Sequence, residues 1–101
     1  MTLTQSPSTN QAKWIIEAEI MPKRGVNDPQ GEAVLSGLGL LGFSGAGRVR
    51  VGKLIRIEVD ASSEDQAREM GTRMCDQLLA NPVIEEYELS ISPAESMTGR
   101  G

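Results

Sequence analysis

The stretch RVRVGKLIRIEV, residues 48–59, carries most of the information about architecture. Val49, Val51, Ile55, Ile57 and Val59 share one parity, and the series runs straight through Gly52 and Lys53. A hairpin turn at those two residues would set Val51 against Leu54 and Val49 against Arg56, so Ile55 and Ile57 would point away from Val49 and Val51. The register therefore predicts a single strand, bent or bulged at Gly52. Twelve residues at ~3.3 Å each span roughly 40 Å, about twice an ordinary strand. Two short helices cannot cover that length, which predicts that part of the strand pairs with a second copy of the chain. Lys53 is the one charge at a core-facing parity, marking either the point where the strand leaves its own core or a group placed to reach a partner.

Working outward, Trp14, Ile16, Ala18 and Ile20 alternate with Glu17 and Glu19, the pattern of a half-buried strand, and Pro22 ends it. Asp28 followed by Pro29 is a helix start, an acidic cap with proline in the first turn. Val34, Leu38 and Leu41 then recur at helical spacing, with Gly42 as the stop. Downstream, Ser62 or Ser63 with Asp65 or Gln66 three residues on resembles a capping box. Ala67, Met70, Met74 and Leu78 form the expected apolar stripe of a second helix, stopped by Asn81-Pro82. A last strand places Val83, Tyr87, Leu89 and Ile91 on one face and Glu86, Glu88 and Ser90 on the other.

The order strand-helix-strand-helix-strand predicts an α+β fold, a small, mainly antiparallel sheet with two helices on one face. The folded domain is expected over residues 13–92, with flexible tails at 1–12 and 93–101 that are too polar to offset the entropy of ordering. Outward-facing Arg48, Arg50 and Arg56 on the long strand oppose Glu17, Glu19, Glu86 and Glu88 on the others. Cross-strand charge pairing then places the long strand centrally, and a charge ladder is the preferred reading of the arginines over an anion site.

The whole chain has 101 residues, the size of one domain, with 39% hydrophobic and 24% charged residues, a mixture that folds. It contains no histidine, which removes the commonest general base and zinc ligand together with every Ser/His or Cys/His arrangement. Cys75 is the only cysteine, so an internal disulfide and a multi-cysteine metal site are excluded. A net charge of -4 argues against nucleic acid as the main partner. No stretch approaches the ~20 apolar residues of a membrane span, and a cytoplasmic protein is expected.

Several apparent motifs carry no chemistry. Gly37, Gly39 and Gly42 fit GxGxxG but end a helix where a dinucleotide loop must begin one. Gly47, Gly52 and Lys53 fit GxxxxGK, yet Leu54 replaces the magnesium-binding Ser or Thr. Ser44 sits in a Gly42-Phe43-Ser44-Gly45-Ala46 turn with no histidine to activate it. Cys75 reads as a packed thiol, and Glu85 lies on the opposite parity from Glu86 and Glu88. No catalytic, cofactor-binding or metal-binding residue is expected in this chain. The candidate functional residues are subunit contacts: Val49, Val51, Gly52 and Lys53 at the bend, and Asn81 and Pro82 at the corner before the last strand.

Together, Asp28-Pro29-Gln30-Gly31 with Ala33-Val34, Leu41-Gly42-Phe43, Val49-Arg50-Val51-Gly52-Lys53 and residues 78–87 (LLANPVIEEY) resemble the PurS family, the small subunit of multi-subunit phosphoribosylformylglycinamidine synthase. The resemblance covers about residues 13–91; at Ser44-Gly45-Ala46-Gly47 the side chains are smaller than the family pattern leads one to expect. It implies a chain that dimerises, joins a large synthase subunit and a glutaminase subunit, and assists ammonia transfer between them in purine biosynthesis. ATP and magnesium are then expected in the large partner and not in this chain. The alternative is an ACT-like amino-acid sensor, because Asp28-Pro29-Gln30-Gly31 between a strand and a helix also resembles the ligand loop of those domains.

Overall fold

The computed structural model describes residues 11–94. Three strands, β1 (Ala12–Pro22), β2 (Lys53–Ala61) and β3 (Glu85–Pro93), alternate with two helices, α1 (Pro29–Leu40) and α2 (Glu64–Met74). A π-helical turn, Cys75–Leu79, continues α2. The predicted element order holds, and all pairing is antiparallel. β1 opens at Ala12 and β3 runs to Pro93, one residue beyond each expected domain boundary, and Ala94 after it is buried; residues 1–10 and 95–101 of the expected tails lie outside the described residues.

The strand order is β2-β1-β3, so β1 is central and the basic strand lies at an edge, against the charge-based expectation. Apolar burial decides this. In the centre, Ile16 and Ile20 are 0% and 1% exposed, each contributing roughly 1.5–3 kcal/mol. A cross-strand charge pair contributes only ~0.2–1 kcal/mol, so the sheet tolerates Glu19 directly opposite Glu88. Part of the ladder survives: Arg56 donates to Glu17 at 2.7 Å across β1 and β2.

Register confirms the core parity. Ile16 faces Ile57 and Ile91, Ala18 faces Ile55 and Leu89, and Ile20 faces Lys53 and Tyr87. α2 lies over this face. Its cap is Ser63, which accepts from the Gln66 N–H at 3.1 Å, while the Gln66 side chain accepts from the Ser62 N–H at 2.6 Å. The helix comes close because Gly71 has no side chain: a Cβ there would sit 3.0 Å from a methyl of Ile16 and 3.2 Å from one of Leu89.

The buried positions of this helix are Ala67, Gly71 and Cys75, with Leu79 packed against the core. The expected stripe through Leu78 fails because the π turn adds a residue to the repeat and rotates the chain beyond it. Leu79 turns inward and Leu78 is left 82% exposed. Val83, expected on the core face of the last strand, lies in the turn before β3 and is exposed as well.

α1 is capped as expected, the Asp28 carboxylate accepting from the Gly31 N–H at 3.0 Å. It ends in a Schellman motif: Gly42 takes φ 96°, its N–H reaches the Gly39 carbonyl, and the Phe43 N–H reaches the Leu38 carbonyl. Unlike α2, it makes only marginal contact with the sheet, and its apolar stripe stays largely bare.

Candidate subunit-contact surface

The stretch first read as one strand is divided in the structure: β2 begins at Lys53, and residues 46–52 pair with no strand among the described residues. The ladder stops for a local reason. Ile20 pairs with Lys53, and two residues further along β1 stands Pro22, which has no N–H to donate. Gly52 is the junction, where a Cβ would collide with the Ile20 carbonyl and the Met21 sulfur. The Arg50 guanidinium donates to the Pro22 carbonyl at 2.7 Å and lies 4.0 Å from Glu86, bracing the preceding segment.

That segment, residues 47–52, forms an arm tied to the start of α1. One Asp28 oxygen caps α1 through Gly31, and the other accepts from the Val51 N–H at 3.0 Å. Gly31 permits the approach, since a Cβ there would overlap the Val49 carbonyl oxygen. These N–H groups, Gly31 first and then Val51, hold the Asp28 carboxyl below its ordinary value, helped by the charge of Arg50. Val49 and Val51 are half-buried beside Asp28, whereas Lys53 is exposed and makes no ion pair among the described residues. Arg48 and Arg50 border a cleft that also contains Lys23, Arg24, Asp28 and Glu32, a lining of both signs.

The Asn81-Pro82 corner is built as firmly. The Asn81 side chain accepts from the Val83 N–H at 3.0 Å, its own N–H donates to Glu85 at 2.7 Å, and its carbonyl accepts from the N–H groups of Ile84 and Glu85. Lys23 donates to the Pro82 carbonyl at 2.7 Å. Because Arg50 holds Pro22 and Lys23 holds Pro82, the bend and the corner are gathered on either side of the end of β1. The sequence reading named both places without relating them.

It missed other contributors. Asp28 and Gly31 were visible as a helix start, but no local signal linked them to Val51. Leu78, Val83 and Ile84 are exposed beside the corner although pattern assigned the first two to the core. Val34, Leu41 and Phe43, the last two 74% and 59% exposed, line the bare side and end of α1. Cys75 is fully buried, and that burial, with Asp76 beside it, pushes its thiol pKa up, which disfavours the nucleophilic thiolate.

Fold and surface together define a small α+β chain that leaves much apolar surface uncovered: an extended arm, a bare helix face and a firmly bonded corner with exposed apolar side chains. The family model for PurS, phosphoribosylformylglycinamidine (FGAM) synthase, matches residues 15–93. The chain belongs to the PurS family. It is 44% identical over 75 residues to the phosphoribosylformylglycinamidine synthase subunit PurS of Archaeoglobus fulgidus, covering 74% of this chain and 94% of that one. Among solved structures, PurS of Methanocaldococcus jannaschii, one of the subunits of formylglycinamide ribonucleotide amidotransferase in the purine biosynthetic pathway, superposes with a TM-score of 0.71 at 34% identity, covering 79% of this chain and 96% of that one. PurLQS from Thermotoga maritima gives 0.72 at 32% identity, over 78% and 96%. The ACT-like alternative gains no support from these comparisons.

Proposed function

We propose that this chain is the non-catalytic small subunit of a cytoplasmic FGAM synthase of purine biosynthesis. It self-associates, bridges the large synthase subunit and the glutaminase subunit, and assists passage of ammonia between them. ATP and magnesium act at the large partner. Membership of the PurS family supports the subunit role, and the similarity to a chain of PurLQS supports work within an assembly. The observation that carries the reading is the concentration of unsatisfied contact surface, the arm, α1 and the Asn81-Pro82 corner, in a chain whose single thiol is packed away.

The test is glutamine-dependent synthesis by the two larger subunits with this chain omitted and then restored. The expected result is little product without it, recovery on addition, and partial bypass by free ammonia, because bridging serves delivery. Full glutamine-dependent rate in its absence would overturn the proposal.

A further inference from the structure

Strand alternation turns the Val49 carbonyl and the Val51 N–H toward α1, where Gly31 and Asp28 meet them. The backbone groups of Arg48 and Arg50 then face the opposite edge and have no backbone hydrogen-bond partner among the described residues. Such an edge recruits another strand. On α1, to which the other edge is tied, Val34 is exposed, as are Leu41 and Phe43 just past its end.

We infer that Asp28 is the positioning residue for self-association: by tying the arm at Val51 to the first turn of α1, its carboxylate presents the free edge of the arm and the bare side of α1 as one surface to a second copy of this chain. This rests on the self-association proposed above. The occupant is argued from shape and pattern. Val49 and Val51 continue the core parity of β2 beyond the point where β1 can pair with it, and α1 makes only marginal contact with its own sheet, so strand and helix both lack the cover that the same fold in a second copy would supply. Without the tie the arm would sample many conformations, and ordering it would be charged against each association.

Asp28→Asn separates this role from helix capping. The asparagine oxygen still accepts from Gly31, and Asn caps as well as Asp, but its NH2 group would face the Val51 N–H donor to donor. Sedimentation equilibrium of the full chain should show self-association weakened about tenfold or more, the size of effect that one lost hydrogen bond to a charged group produces. Amide exchange at Val51 should accelerate while β1 stays protected. Gly31→Ala, which keeps the carboxylate but drives a methyl between it and the Val49 carbonyl, should weaken association in the same way. If Asp28→Asn raises Val51 exchange yet associates as the native chain does, the positioning role is overturned and self-association stands. Loss of protection in β1 would also overturn it, since the carboxylate would then serve the fold itself. A monomeric native chain would overturn the self-association reading on which the inference rests.

Discussion

Asp28 and Lys53 show how differently two charged residues are placed near one bend. The Asp28 carboxylate accepts two backbone N–H groups, and its folded pKa lies below the ordinary 3.8. A group with a depressed folded pKa contributes stabilisation that is fully present above its unfolded value and is lost as the pH falls through the folded one. The arm should therefore stay ordered at neutral pH and loosen only on acidification below 3.8, read as Val51 amide exchange against pH; in Asp28→Asn that dependence should be largely absent. Lys53 has no such partner. Reversing it with Lys53→Glu should weaken binding to the larger subunits, measured by calorimetric titration, more than Arg56→Glu does. Arg56 is engaged with Glu17 in a partly exposed pair at 2.7 Å, and such surface pairs are worth about 0–1 kcal/mol. Equal losses from the two reversals would remove the special role given to Lys53.

Among the elements, α2 and its π turn carry the lesson. One added residue in the helical repeat exchanges the faces of Leu78 and Leu79, so a side chain that periodicity assigns to the core joins Val83 and Ile84 on an exposed apolar patch at the corner. Leu78→Ser should then leave the unfolding midpoint nearly unchanged, within about 0.5 kcal/mol, because an exposed substitution costs little. Leu79→Ala removes packing from Ala18, Ile20, Cys75 and Ala80 and should cost roughly 2 kcal/mol or more. The same Leu78→Ser chain should bind the assembly less tightly if the patch is a contact. Thermal unfolding and co-purification separate the two effects, and a large loss of stability from Leu78→Ser would show that the core reaches further than the helix face indicates.

For the whole molecule, the decisive quantity is the apolar surface that one chain leaves uncovered. β2 is an edge strand, α1 stands off the sheet, and the arm pairs with no strand among the described residues. Val51→Asp places a charge where the proposed interface would bury it without a partner, so sedimentation should shift the chain toward the monomer; undiminished association would place the interface elsewhere. The sequence by itself determined the element order, the antiparallel core faces, the Asp28 and Ser63 caps, the buried thiol and the family. These follow from local rules, namely period-two and period-3.6 patterning, capping chemistry and motif spacing, which one stretch of chain contains in full. Tertiary structure decided that β1 is central, that the long strand divides at Gly52, that Leu78 faces out and that Asp28 meets Val51 twenty-three positions away. Each of these is a competition between distant segments: burial of Ile16 and Ile20 against charge pairing, the missing N–H of Pro22 against a continuous ladder, one added residue in a helix against its period. Such outcomes depend on which segments come to lie together in the fold, and residue spacing along the chain does not record that.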